Sequence, residues 1–349
     1  MIKIKLLLLN FLIILFIFLF AIPLFNAFAE SQKITIRFHM AQPLTGLEAT
    51  VDTGYFKMVE EATKGKYLLE VKYFPVGSLF GGAGVYEGVA KGVVDAGASI
   101  LSYTPGRFPV MLTLSQPGIC PLVSAQAGSR SVWEFYKKFR PKEFDDVKIL
   151  YLYSVPPAWI HSKTPINKLE EIRNLDIRAT GASSKGLKAL GANPTAAPQD
   201  EVYILAQKGI IKASIAPLEV LKVWKQAEIF TYSTFVPFAY HEQWFIAMNW
   251  EMWNRLPKDL QQAFDDVVER AVKQAGQIWQ SHETTVMNWA HKLGHKFIYL
   301  SNEEMGRWQK LLEPIRSAYV TELKSKGFPG ELIVDEASKI AQESNTLFK

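Results

Sequence analysis

The chain has 349 residues, a length that favours two domains and excludes a single small module. Hydrophobic residues make up 48% of it and charged residues 21%, which is typical of a globular protein and excludes collagen, a coiled coil and wholesale disorder. The formal net charge is +5, so the position of the basic residues decides whether a nucleic-acid partner is indicated.

The first 29 residues have the pattern of a secretory signal peptide. Two lysines precede an apolar run that ends at Phe25, and Ala27 and Ala29 supply the small residues of a cleavage site. An apolar run of about 20 residues is also long enough to span a bilayer, so an uncleaved N-terminal anchor is the alternative. We expect residues 1–29 to be removed and the mature chain to be periplasmic.

The mature chain has little charge imbalance and one cysteine. Removal of residues 1–29 leaves 37 basic and 34 acidic side chains, so a nucleic-acid partner is not indicated. Cys120 is the only cysteine, which excludes an intramolecular disulfide and a cysteine-based zinc site. No second apolar stretch of 18 residues follows, which predicts a soluble mature chain.

Strand and helix patterns alternate through the first part of the mature chain. The alternation predicts α/β layers with parallel strand pairing, and ligands bind such layers at the carboxyl ends of the strands. The predicted strands are 34–38, 67–74, 93–99 and 147–153, and the predicted helices are 55–63, 86–91 and 127–139.

A second α/β segment follows the break at Pro156 and Pro157. Its predicted strands are 175–178 and 210–215, its predicted helices are 183–190 and 200–207, and a strand over 243–248 returns the chain to the first part. We therefore expect a two-lobed α/β fold. The first lobe comprises 30–154 and 243–285, and the second comprises 155–242 and 286–349, including C-terminal helices.

A long helix is predicted from Pro257 to Leu293, with only Gly276 as an interruption. At 1.5 Å per residue, about 36 residues reach roughly 54 Å, which is longer than one lobe is wide. The helix is therefore expected to span both lobes. His291 and His295 lie four residues apart near its end, but the glutamate of the H-E-x-x-H zinc pattern is missing, which favours a solvated helix end over a metal site.

No residue pattern typical of an enzyme active site stands out. The glycines of 181–186 resemble a phosphate-binding loop but lack the Lys-Ser/Thr pair, and no G-x-S-x-G elbow occurs. A secreted α/β enzyme that uses His161, His241 and Glu242 in the cleft is the alternative to a binding protein.

Arg178 is the most informative polar residue. It ends a short predicted strand directly before Gly181 and a helix start, at the edge where an α/β lobe presents ligands. An arginine in such a place can form two parallel hydrogen bonds to a carboxylate, which a lysine cannot do. Position alone equally allows a surface ion pair with Glu170 or Asp176.

Four aromatic residues lie near the predicted crossovers between the lobes. They are Tyr103, Tyr240, Trp244 and Phe245. Aromatic side chains form the apolar walls of many small-ligand clefts. The alternative is that they belong to the core.

The whole mature chain resembles the extracytoplasmic solute-binding proteins of tripartite ATP-independent periplasmic (TRAP) transporters. The most specific stretch is 169–178, which ends at Arg178. Other stretches that resemble the family are 71–79, 86–95, 103–109, 190–192, Pro194, 201–203, 208–211, 248–249, Trp253 and 256–257.

The resemblance implies a function for Arg178. In that family the matching arginine binds the carboxylate of an organic acid held between two lobes, and the long helix crosses both. The chain is therefore expected to be no enzyme, to need no cofactor, and to deliver a small-molecule carboxylate to TRAP-type membrane permease subunits, as a monomer. A binding protein that docks to a receptor instead of a permease is the remaining alternative.

The sequence departs from the family pattern at two places. Lys212 stands where the family usually has an acid, which changes the chemistry expected at that strand end. Residues 158–161 lie where some branches of the family carry a second arginine. Because this chain has no arginine there, a monocarboxylate fits better than a dicarboxylate. Glu242 corresponds to an acid that helps hold a ligand-associated cation in the 2-oxoacid binders, and the resemblance implies that role as one option. The expected ligand site is Arg178, Tyr103, Tyr240, Glu242, Trp244 and Phe245.

Overall fold

A computed structural model describes residues 31–239 and 241–348. The predicted signal peptide at 1–29 and the candidate site residue Tyr240 lie outside the described residues.

Two β-sheets form the centres of two lobes, which confirms the two-lobed α/β prediction. The strands are β1 (Gln32–Met40), β2 (Tyr67–Phe74), β3 (Ala96–Ile100), β4 (Val147–Ser154), β5 (Trp159–Ser162), β6 (Asp176–Ala179), β7 (Asn193–Ala196), β8 (Ala213–Ala216), β9 (Tyr232–Phe235), β10 (Gln243–Asn249) and β11 (Lys296–Tyr299). Helices cover the sheets, as expected for α/β layers.

The helices follow the strands in the predicted alternation. They are α1 (Leu47–Ala62), α2 (Val85–Ala90), α3 (Ala125–Phe139), α4 (Gly181–Ala189), α5 (Val202–Gln207), α6 (Val220–Val223), α7 (Trp250–Arg255), α8 (Lys258–Asp266), α9 (Val268–Lys292), α10 (Asn302–Ser325) and α11 (Gly330–Leu347). Over the described residues, none of these helices is long and apolar enough to cross a membrane.

The first sheet has the strand order β2-β1-β3-β10-β4. Strand β1 pairs in parallel with β2 and β3, and β10 is antiparallel to both β3 and β4. The carboxyl ends of β1, β3 and β4 therefore lie at the same edge as the start of β10. That edge faces the second lobe.

The second sheet has the order β11-β9-β5-β8-β6-β7. Strand β6 lies between β7 and β8 and pairs in parallel with both, so the three strands end at one edge. Strand β10, which comes late in the chain, returns to the first sheet as predicted.

The C-terminal part of the chain contacts both lobes. Helix α11 packs on α3 beside the first sheet, where Arg130 donates to Ser344 (3.0 Å) and Lys138 pairs with Glu336 (2.7 Å). The sequence-based division places 286–349 wholly in the second lobe. In the structure, the last helix, α11, packs beside the sheet of the first lobe. The boundaries of the two lobes otherwise stay a prediction.

The long helix is divided into α8 and α9, so the prediction of one helix is wrong at Val267. The backbone of Val267 has φ −88° and ψ −6°, and α8 ends there before α9 begins. Gly276, the predicted interruption, lies within α9 without breaking it. Helix α9 still spans both lobes, because its second half packs Val286 and Ala290 against Trp159 of the second sheet.

Gly276 permits a close approach between α9 and α3. A Cβ atom at this position would lie 2.8 Å from the Cα of Gln126 and 3.2 Å from the carbonyl oxygen of Ala125. Both neighbours are backbone atoms, which cannot rotate away. The glycine is therefore required by packing and not by an unusual backbone angle.

We expect Gly276→Ala to destabilise the protein. The backbone overlap costs about 1–3 kcal/mol, and the higher helix propensity of alanine returns up to about 1 kcal/mol. The melting temperature should fall by a few degrees. The matched control is Gly306→Ala in α10, where no atom lies within 4 Å of the added Cβ, and this variant should be slightly stabilised. Equal melting temperatures for Gly276→Ala and the unmodified protein would contradict the packing account.

Candidate functional site

A cavity lies between the lobes, at the edge where strands of both sheets end. The space between its atoms is about 370 Å³ when the open solvent at its mouth is included, and about 30 Å³ of this is accessible to the centres of water molecules. Tyr103 and Trp244 line it from the first lobe, Arg178 and Gln199 from the second, and Trp279 from α9. This position agrees with the general rule that α/β sheets bind ligands beyond the carboxyl ends of their strands.

Arg178 is a buried arginine, with 2% of its surface exposed. Its Nε donates to the carbonyl oxygen of Ala197 (2.8 Å), and Nη1 lies 3.4 Å from the carbonyl oxygen of Ile215. Because these carbonyls come from just after β7 and from β8, the two neighbours of β6, the sheet itself fixes the plane of the guanidinium.

Arg178 has no ion-pair partner within 31–239 and 241–348. Of the two local acids considered from the sequence, Glu170 pairs with Arg307, and Asp176 accepts a weak bond from Asn193. The surface ion-pair interpretation of Arg178 is therefore wrong. A buried guanidinium without an anion is costly unless a ligand supplies one.

Glu242 connects the two lobes beside Arg178. Ser102, just after β3, donates its hydroxyl to Oε2 (2.5 Å), and Thr180, just before α4, donates its hydroxyl to Oε1. Burial raises the pKa of Glu242 to about 7, although the two hydroxyls and the charge of Arg178 act in the opposite direction.

The contacts of Glu242 do not resemble a cation site. Each of its carboxylate oxygens already accepts a hydroxyl hydrogen bond. In the part of the chain that the structure describes, no group of three or more His, Cys, Asp or Glu side chains is arranged to hold a metal ion. The structure thus gives the expected cation role of Glu242 no support.

Two of the predicted aromatic residues line the cavity. The hydroxyl of Tyr103 accepts a hydrogen bond from the backbone N–H of Gln199 (2.8 Å), and desolvation raises the pKa of Tyr103 to about 12, so the hydroxyl stays neutral. Trp244 is buried on β10 and lies nearly parallel to Tyr153, with ring centroids 6.2 Å apart.

Phe245 does not lie in the cavity. Successive side chains of a strand point to opposite faces, and Trp244 takes the cavity face of β10. Phe245 is completely buried and packs against Tyr86, at 5.4 Å between centroids, in the core of the first lobe. We therefore leave Phe245 out of the site.

The histidines of the enzyme alternative do not meet. His161 contacts Ser233 through Nδ1 (2.7 Å), and burial lowers its pKa to about 3. His241 instead accepts from the backbone N–H of Leu122 through Nε2 (3.1 Å), and burial lowers its pKa to about 4. With these separate partners, and with Glu242 held by hydroxyls, no nucleophile–base arrangement forms.

His295, one of the two histidines weighed as metal ligands, also has a structural partner. Its Nε2 lies 2.7 Å from the hydroxyl oxygen of Ser233, which His161 contacts on the other side. Burial lowers the pKa of His295 to about 4, so it is neutral at physiological pH.

Two acids that sequence reasoning missed also line the cavity. Glu48 lies in the first turn of α1 and Glu219 lies three residues after β8, and both are buried. Burial, and then the neighbouring Glu219, raises the pKa of Glu48 well above its usual range, and burial raises the pKa of Glu219 to about 7. The position of Glu219 just after a strand end was a usable signal. Glu48 resembled an ordinary first-turn acid.

Comparison with known proteins identifies several relatives. Residues 40–322 match the model of a family described as bacterial extracellular solute-binding protein, family 7. A curated relative, the outer membrane transporter protein TsaT of Comamonas testosteroni, is 26% identical over 255 residues, which are 71% of this chain and 74% of that protein.

Solved structures with the same fold include two TRAP solute-binding proteins. One from Desulfovibrio salexigens is 27% identical, covers 89% of this chain and 96% of its own, and has a TM-score of 0.77. One from Rhodoferax ferrireducens, in complex with copurified benzoate, is 23% identical, covers 90% and 100%, and has a TM-score of 0.85.

The burial of Glu242 predicts a pH-dependent effect of Glu242→Gln. The folded-state pKa of about 7 exceeds the ordinary value of 4.5, so the stability that protonated Glu242 contributes is lost as the pH rises from 4.5 through 7. Glutamine does not titrate. As the pH rises from 5 to 8, the free energy of unfolding of the variant should therefore increase relative to that of the unmodified protein, by on the order of 1–3 kcal/mol.

Urea unfolding without ligand at the two pH values measures this change. Glu61→Gln, on an exposed position of α1, is the control and should show the same difference from the unmodified protein at both pH values. A pH-independent difference for Glu242→Gln would mean that burial does not raise the pKa of Glu242.

Proposed function

Because the chain belongs to family 7 of the bacterial extracellular solute-binding proteins, we propose that it captures a small monocarboxylate beside Arg178. The protein is a periplasmic binding protein of the TRAP type and not an enzyme. It works with a membrane permease, to which it delivers an organic acid. The family supports this transport role over the alternatives of a secreted enzyme and a receptor-docking sensor.

The observation that carries the proposal is the buried guanidinium of Arg178. Backbone carbonyls hold it on one side, and among the described residues no carboxylate lies within ion-pair distance of it. A ligand carboxylate satisfies both the charge and the remaining N–H groups, with the two-point geometry that arginine favours.

The charge of the cavity favours one carboxylate over two. Of the described residues that line it, Arg178 is the only basic one, whereas Glu48 and Glu219 are acidic. A second carboxylate on the ligand would lie near these acids without a cation to balance it. The benzoate held by the Rhodoferax relative is also a monocarboxylate.

Capture is coupled to the contact between the lobes. Ser102 and Thr180 reach Glu242 from opposite lobes, and Trp224 of the second lobe donates to Gln42 of the first (3.0 Å). A ligand that contacts both walls favours the state in which these contacts exist, by its difference in affinity for the closed and open states. Since one chain supplies both walls, we propose that the monomer is the functional unit.

Replacement of Arg178 tests the site. Arg178→Ala should weaken binding at least 100-fold, since breaking a buried charge pair costs about 3–5 kcal/mol. Arg178→Lys keeps the charge but loses the two-point geometry, so its affinity should lie between those of Arg178→Ala and the unmodified protein. The probe is the acid that gives the largest thermal shift in a panel of benzoate, phenylacetate and 2-oxoacids, and its affinity is measured by calorimetry.

The matched control is Arg173→Ala, an exposed arginine five residues earlier, which should bind the same acid with unchanged affinity. Circular dichroism at the calorimetry temperature verifies that each variant is folded. Unchanged affinity in folded Arg178→Ala would remove Arg178 from the binding site.

A further inference from the structure

The cavity has a second polar region formed by Glu48 and Glu219. Glu48 comes from the first lobe and Glu219 from the second, and their exposed fractions are only 2% and 3%. Within the two described ranges, Oε2 of Glu48 and Oε1 of Glu219 have no hydrogen-bond partner. Both side chains line the same cavity as Arg178.

No cation of the described residues balances this carboxyl pair. Neither acid takes part in an ion pair among those residues, and the third acid nearby, Asp52 of α1, adds to the negative potential at Glu48. Among the described residues, the backbone N–H of Leu47 is what favours the charged form of Glu219. The charge of Arg178 acts instead to lower the pKa values of Glu242 and Tyr103.

Burial and mutual repulsion keep part of this pair protonated near neutral pH. Burial raises the pKa of Glu219 to about 7, and burial together with Glu219 raises that of Glu48 well above its usual range. Glu48 and Glu219 therefore present hydrogen-bond acceptors that carry less than two full negative charges. Such a surface suits a neutral or singly positive donor.

An independent observation comes from Gln199. This residue is 6% exposed and lines the cavity, and its Nε2 has no hydrogen-bond partner among the residues described. A buried polar atom without a partner costs roughly 1–3 kcal/mol, and native structures contain few of them. The Nε2 of Gln199 is a donor that suits an acceptor such as a ligand carboxylate, whereas the unpartnered oxygens of Glu48 and Glu219 suit a donor on the ligand. The polar lining of the cavity therefore extends beyond Arg178.

We propose that the ligand is a carboxylic acid that also carries a hydrogen-bond donor, a hydroxyl or amino group, which contacts Glu48 and Glu219 while the carboxylate pairs with Arg178. This inference rests on the proposed function, because it takes Arg178 as the carboxylate partner. The donor bridges the two lobes, since each acid belongs to a different one. Glu48 and Glu219 thus determine which acids the protein accepts.

Matched acids test the proposal directly. Two series share one carbon skeleton: phenylacetate, 3-hydroxyphenylacetate, 3-aminophenylacetate and 3-methoxyphenylacetate vary the ring, and phenylacetate, mandelate and O-methylmandelate vary the position next to the carboxylate. Calorimetry at pH 7 gives the dissociation constants. In at least one series, the donor-bearing acid should bind at least 10-fold more tightly than both the parent acid and the O-methyl compound.

Glu48→Met and Glu219→Met remove the acceptors while keeping side-chain length. Each should reduce the preference for the donor to about 2-fold or less, with the affinity for the parent acid kept or increased. Glu61→Met, at an exposed position of α1, is the matched control and should keep the full preference. Glu48→Gln and Glu219→Gln serve if a methionine variant fails to fold, and they should reduce the preference less.

The outcomes separate the inference from the proposed function. If none of these acids or the monocarboxylate panel binds, the proposed function fails and the inference with it. If parent and donor-bearing acids bind equally to the unmodified protein, or the preference persists in both methionine variants, the inference is overturned and the proposed function stands. A preference that requires Ca²⁺ or Na⁺ and disappears without them also overturns it, because a cation would then occupy the place of the ligand donor.

Discussion

The site depends on one buried positive charge. Arg178 extends from β6 between two parallel neighbours, and their carbonyl oxygens fix its guanidinium at the cavity. The low polarity that makes this charge expensive to bury also strengthens its attraction for a carboxylate. In the proposed function, the structure of the second sheet therefore determines where an acid binds, and both lobes supply the walls around it.

The order of the strands brings distant parts of the sequence to this point. Tyr103 follows β3, Gln199 follows β7, and Glu219 follows β8, so each comes from the carboxyl end of a different strand. Strand β10 contributes Trp244 from the opposite direction because it is antiparallel to its neighbours. A cavity built in this way has walls in both lobes, so the proposed ligand binding depends on contact between the lobes.

The sequence predicted the two-lobed fold and most strands, because these follow from local periodicity and turn residues. Position alone left Arg178 open to a surface ion pair, and only the family resemblance implied its place between the lobes. It did not predict that Phe245 faces the core, since the two faces of a doubly buried strand are equally apolar. The break at Val267 carries no glycine or proline signal. Glu48 and Glu219 were missed as a pair because only the three-dimensional structure brings them to the same cavity.

The most direct test of this account is a crystal structure of the protein with the acid that binds most tightly in calorimetry. The account predicts that both carboxylate oxygens lie about 2.7–2.9 Å from the guanidinium nitrogens of Arg178, inside the cavity between the lobes. A carboxylate held by other residues, with Arg178 bonded only to the protein backbone, would contradict it.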